Sequence, residues 1–154
     1  MTAVIQRVSE ASVAVDGKTV GSCKRGLLIL LGVAEGDTEE DALLLANKIA
    51  KLRIFSDEAG KMNLSVTDIG GEALVISNFT LLANYKHGNR PDYLGAAKPE
   101  AANALYEHFV SLLSGAVSRV EKGIFGADMK VSLVNDGPVT LVMHSEVLKK
   151  TGKA

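Results

Sequence analysis

"GLLILLGVAEGDTEEDALLLANKIAKLRIF", residues 26–55, changes its period halfway along, and that change decides the fold class. Residues 26–34 are apolar throughout, which suits a strand covered on both faces. After Gly36 the pattern turns helical. Ala42, Leu45, Ala46, Ile49 and Leu52 make one apolar stripe, with Asp37 placed to cap the helix and Glu40 three residues on. Upstream, residues 2–22 alternate apolar and polar around Asp16-Gly17, a strong two-residue hairpin signal. Downstream, "EALVISNFTLLA" (72–83) returns to strand. A second helix runs from Pro99 in its first turn to Gly115 beyond its end, burying Ala102, Leu105, Tyr106, Phe109 and Leu113. Residues 118–145 read as strands separated by glycine-containing turns. The pattern predicts an α/β chain: a single compact domain, 1–154, in which strands and two main helices are interleaved. Residues 146–154, which hold the lysine-rich "LKKTGKA", are left free to be flexible.

Composition narrows the class. The chain has 154 residues, 47% of them hydrophobic, enough for one domain with a proper core. Its one cysteine, Cys23, excludes an internal disulfide framework and a Cys-rich metal site, so a reducing, cytoplasmic setting is the expectation. No apolar run approaches the roughly 18 residues that span a bilayer, and no membrane partner is expected. A formal net charge of -1 removes the general argument for nucleic-acid binding, so any contact with RNA has to be local. The long irregular segment 84–98, "NYKHGNRPDYLGAAK", is the place for it.

The sequence is poor in acid–base machinery. Of the three histidines, His108 falls opposite the apolar stripe of its helix, His87 sits in the polar loop, and His144 follows a strand with no carboxylate at a recognisable spacing. No metal-binding, nucleophile-elbow or phosphate-loop motif occurs, and neither metal nor cofactor is expected. "DTEED" reads as a helix N-terminus favoured by its dipole, and Asp128 as a turn or capping residue that could also serve as a base. Two segments stand out. Ser77, Asn78 and Thr80 interrupt an apolar strand at its C-terminal end, where α/β proteins often hold ligands. "NDGPVT" (135–140) spends one of only three prolines on a Gly-Pro pair between apparent strands, for which a turn is the plain reading.

Taken in order, "IQRVSEASV", "GLLILLGV", "LRIFSDEAGKMNLSV", "SNFTL", "GNRPDY" and "FGADMKVSLVNDGPVT" resemble the D-aminoacyl-tRNA deacylases along nearly the whole chain. Of that family's two motifs, Asn-x-Gly-Pro-Val-Thr is intact at Asn135 to Thr140. Ser-Gln-Phe-Thr-Leu has Asn78 in place of its glutamine.

The resemblance implies a compact α/β layering of mixed or antiparallel sheets with two main helices, working as a homodimer with its active site at the subunit interface and aminoacyl-tRNA, held by its 3′-terminal adenosine and acceptor end, as partner. It implies a cis Gly137-Pro138 bond projecting into the other subunit's pocket. There the carbonyl oxygens would exclude an L-residue's side chain and admit D-residues, and glycine as well. Arg7 would hold the Gly-Pro carbonyls from within the subunit. Backbone N–H groups of Phe79 and Thr80 would form an oxyanion hole, with the vicinal ribose hydroxyl of the RNA activating or positioning water. Ser77 and Asn78 complete the catalytic segment. The Thr80 hydroxyl ranks lower as a nucleophile because no base stands at an activating spacing. Phe125 and Met129 match positions lining the adenosine side, with ordinary core packing as the alternative, and Lys86, Arg90 and Lys98 could touch acceptor-stem phosphates. Asparagine at 78 is one methylene shorter than glutamine, so rate and amino-acid range are where this chain should differ. Two rivals stand beside this reading: a sibling deacylase with a trans bond and a roomier pocket for certain L-residues, and a non-catalytic tRNA-binding module.

Overall fold

The computed structural model describes residues 1–151. The strands are β1 (Thr2–Val15), β2 (Lys18–Cys23), β3 (Gly26–Gly32), β4 (Phe55–Ser56), β5 (Met62–Leu64), β6 (Glu72–Ser77), β7 (Arg119–Lys122) and β8 (Lys130–His144); the helices are α1 (Glu39–Lys51) and α2 (Pro99–Ser114). Six strands form one mixed sheet in the order β2-β1-β3-β6-β7, with β8 also paired to β1, while β4 and β5 make a small separate pair. β3, β6 and β7 run parallel, so α1 and α2 are the crossover connections between them. The α/β reading with two main helices is therefore what the chain adopts.

Local chemistry accounts for most elements. Asp16 (φ 51°) and Gly17 (φ 77°) form the two-residue turn of the β1–β2 hairpin, both residues in the left-handed region that this turn requires. β3 is covered on both faces. Leu27, Ile29 and Leu31 join a core cluster with Ala42, Leu45 and Ile49 of α1 and Tyr106, Phe109 and Leu113 of α2. Leu28 faces a second cluster with Val8, Val13, Leu74 and Ile76. Each such large side chain removed from water contributes about 1.5–3 kcal/mol.

Three details differ from the sequence reading, each for a physical reason. The cap of α1 is Thr38, and the residue three on that accepts the Thr38 N–H is Asp41, at 2.8 Å. Asp37 is not free to cap, because its carboxylate holds the Met1 amino group at 2.9 Å and the Ala34 N–H at 2.7 Å. The strand at 72–83 stops at Ser77, and Phe79–Leu82 wind into a 3₁₀ turn. Finally, "NDGPVT" joins no two separate strands. β8 is continuous, but Asn135 sits opposite Val8 and Thr140 opposite Gln6, so Asp136–Val139 loop out across the single residue Arg7. Within that excursion the Gly137-Pro138 bond is cis, and both residues are exposed. At the chain's end, Ser145–Leu148 form a second 3₁₀ turn, with Ser145 fully buried. Among the described residues, no helix is long and apolar enough to cross a membrane.

Candidate functional site

A cleft of about 940 Å³ opens where β3 and β6 end. Leu31 pairs with Ser77 on the last rung of that parallel ladder, and the Asn78 N–H still reaches the Leu31 carbonyl at 2.8 Å. The chain then turns sharply. Phe79–Leu82 lie directly over Gly32, where a Cβ would come within 2.5 Å of a Leu82 methyl and 3.1 Å of the Leu81 Cβ. Gly32 is what allows the turn to sit so close to the sheet.

The turn presents donors. Its hydrogen bonds begin with Leu81 N–H to the Asn78 carbonyl and Ala83 N–H to the Thr80 carbonyl. The N–H groups of Phe79 and Thr80, the first two of the turn, therefore have no partner among the described residues, as helix geometry dictates. Ser77, Asn78, Phe79 and Thr80 all line the cleft, and so do Phe125 and Met129. Phe125 also packs toward the core, 6.1 Å from the Tyr106 ring, while Met129 lies against the second cluster, so each serves both site and core. The Thr80 hydroxyl donates to Asn78 Oδ1 at 2.6 Å.

Loop 84–98 closes the other side. Tyr93 meets the Phe79 ring edge-on at a centroid distance of 5.0 Å, and Lys98 stands at the cleft wall beside Pro99. Lys86, His87 and Arg90 are exposed elsewhere on this loop, whose first part, 84–92, is closed by paired backbone bonds between Asn84 and Asp92. Lys98 and Asp128 carry the cleft's charges, and no histidine lines it. His144 instead shares a 3.1 Å hydrogen bond with the Thr2 hydroxyl. Tyr93 and Gln6 were not singled out from the sequence, since only the fold brings loop and first strand to the end of β6.

Gly137, Pro138 and Arg7 do not line this cleft. Arg7 donates through Nε to the Asp136 carbonyl at 2.8 Å and through Nη1 to the Ile54 carbonyl at 2.7 Å. It thus grips the residue just before Gly137, not the Gly-Pro carbonyls themselves. Asn135 pinches the base of the excursion, its Nδ2 donating to the carbonyls of Arg7 (3.1 Å) and Val139 (3.0 Å). Its place at the head of "NDGPVT" was the available signal. A Cβ on Gly137 would collide with the Val139 nitrogen, so the excursion closes too tightly for any other residue.

The ionisable groups that depart most from ordinary behaviour lie outside the cleft. Burial, with Glu72 nearby, pushes the Cys23 thiol up to about 11. Burial likewise raises the Tyr106 phenol, whose hydroxyl donates to the Val75 carbonyl at 2.8 Å. Burial works against ionised Asp41, but bonds from the Ser145 hydroxyl, the Thr38 N–H and Lys149 outweigh it and hold the carboxyl well below the usual range.

Similar sequences and a similar shape occur in other proteins. The model of the family described as D-Tyr-tRNA(Tyr) deacylase matches residues 4–144. A D-aminoacyl-tRNA deacylase of Sulfurihydrogenibium sp. (strain YO3AOP1) is 60% identical over 96% of this chain and 100% of its own length. The protein of that name from Anaeromyxobacter dehalogenans (strain 2CP-C) is 58% identical over 96% and 99%. Among solved structures, a c-Myc DNA unwinding element binding protein superposes with a TM-score of 0.88 at 39% identity, covering 94% of this chain and 98% of that one. A probable eukaryotic D-amino acid tRNA deacylase superposes at 0.80 with 16% identity over 93% and 99%, a likeness of fold. With a family match across nearly all of its length, the chain belongs to the D-Tyr-tRNA(Tyr) deacylase family.

Proposed function

We propose that this protein hydrolyses the ester bond of D-aminoacyl-tRNA, and of mischarged glycyl-tRNA, releasing tRNA and the amino acid while rejecting L-aminoacyl groups. The observation that carries the reading is the pair of unengaged N–H groups at Phe79 and Thr80, two residues that line a cleft with no histidine. Such donors stabilise the oxyanion formed when water adds to an ester carbonyl. The bond that then breaks is the one to the ribose oxygen, which leaves with a proton as a free hydroxyl. The substrate's vicinal hydroxyl is suited to activate or orient the water, so no side-chain base is required.

The working unit is a homodimer in this reading. Gly137 and Pro138 are exposed and lie outside their own chain's cleft, while Arg7 and Asn135 hold the excursion in a fixed shape. A rigid projection with nothing to do in its own subunit suits the cleft of a second copy, where its carbonyl oxygens would crowd out an L side chain. Phe125 and Met129 would flank the terminal adenosine. Lys98 at the wall, with Lys86 and Arg90 on the loop, would meet acceptor-end phosphates, a contribution that added salt weakens.

The test is turnover of D-Tyr-tRNA against L-Tyr-tRNA by the pure protein. Rapid release from the D form alone is expected. Equal rates on both would favour the roomier sibling activity, and binding without turnover would favour a nucleic-acid-binding module.

A further inference from the structure

An asparagine at a helix cap ordinarily turns its Oδ1 onto the N–H two or three residues along. Asn78 is the cap of the Phe79–Leu82 turn, and the N–H two along is that of Thr80. Its side chain makes no capping bond. Oδ1 accepts instead from the Thr80 hydroxyl at 2.6 Å, so the one residue supplies both the N–H two along from the cap and the hydroxyl that engages the cap's side chain. A glutamine is not a favoured cap, so this competition belongs to the asparagine.

We propose that the Thr80 hydroxyl is a positioning group: it draws Asn78 Oδ1 away from the first turn and thereby keeps the Thr80 N–H open to substrate. The proposal rests on the reading of that N–H as an oxyanion donor. It accounts for a threonine hydroxyl lining the cleft with no base to activate it, and it needs no bond from that hydroxyl to the substrate. It also states what asparagine costs at position 78. The residue brings a side-chain acceptor within reach of a donor that has to stay unsatisfied until substrate arrives, and Thr80 neutralises it.

Thr80→Val removes the hydroxyl at almost constant shape on an exposed residue. Asn78 Oδ1 should then cap the residue 80 N–H. Turnover of D-Tyr-tRNA should fall by about 10²-fold in kcat with KM little changed, the low end of what loss of one oxyanion donor costs. Thr80→Ser should recover most of that loss. The double variant Asn78→Ala with Thr80→Val should also recover it, because no side-chain oxygen remains to cap the turn. Hydrogen exchange reads the capping directly, without activity: the residue 80 amide should exchange fast in the parent, slowly in Thr80→Val, and fast again in the double variant. An unprotected amide in Thr80→Val overturns the proposal whatever the kinetics, and so does a double variant as slow in turnover as Thr80→Val. A protected amide with undiminished turnover upholds the change in capping and overturns instead the role of the Thr80 N–H in catalysis.

Discussion

At the scale of single residues, the chemistry proposed for the cleft is carried by backbone, and that can be separated from side chains. Phe79→Ala keeps the residue 79 N–H but loses the ring that meets Tyr93. Phe79→Pro loses both, and proline is well tolerated at the first position of a helical turn, here after Asn78, whose φ of -145° and ψ of 87° lie outside the helical region that a following proline disfavours. The proline variant should be slower than the alanine variant by about 10²–10³ in kcat on D-Tyr-tRNA, the effect of deleting one oxyanion donor. Comparable rates for the two in single-turnover measurements would remove Phe79 N–H from the mechanism. Asn135→Ala should act differently, loosening the excursion it pinches. We expect a loss of discrimination, with the ratio of D-Tyr-tRNA to L-Tyr-tRNA hydrolysis falling while the melting temperature moves by only a few degrees. What the sequence made legible at this scale was Ser77 to Thr80, because polar residues broke an apolar strand. Tyr93 was not legible, because a tyrosine in an irregular loop carries no periodic signal of what it will touch.

At the scale of elements, the periodic segments could be read and their ends could not. The hairpin at Asp16-Gly17 and the stripes of α1 and α2 depend on neighbours within a few positions, so the sequence states them locally. The cap of α1 was displaced by one residue because Asp37 answers to Met1, 36 positions away. The excursion in β8 could be seen as a Gly-Pro turn, but its setting inside one continuous strand depends on pairing with β1. Gly32 shows how closely two elements approach. Gly32→Ala should drive the Phe79–Leu82 turn off the sheet, costing about 1–3 kcal/mol in urea unfolding as an overpacked contact and lowering kcat more than KM. A second element-level device lies at the start of α1, where Asp41 collects bonds from Thr38, Ser145 and Lys149. Its folded-state pKa is depressed, so the stability it contributes is complete above the ordinary aspartate value of about 3.9 and drains away as pH falls below it. Asp41→Asn should cost about 1.5–3 kcal/mol near neutral pH, the range for hydrogen bonds to a charged group. The gap between variant and parent in urea midpoint should close as pH drops below about 4. A gap that persists unchanged at pH 3 would show that packing, not charge, holds the site.

At the scale of the whole molecule, cleft and projection are parts of one chain that the proposed dimer recombines between two. Phe79→Pro disables the cleft and leaves the excursion intact, whereas Gly137→Ala, which forces a Cβ into the Val139 nitrogen, disables the excursion and leaves the cleft. Each variant alone should be nearly inactive. Unfolded and refolded together, they should regain about a quarter of parent turnover, because half of the dimers are mixed and each mixed dimer holds one good site. No recovery from a mixture shown by native mass spectrometry to contain mixed dimers would place both parts of the site in one subunit. Cys23 makes that experiment simpler than it first looks. As the only thiol in the chain, buried and pushed by that burial up to about 11, it should stay unreacted with maleimides at neutral pH. The natural protein is thus already a silent background for labelling. A lone cysteine introduced at exposed Asp136 could carry a spin label or fluorophore and report the distance between the two projections, with no residue of the core replaced beforehand.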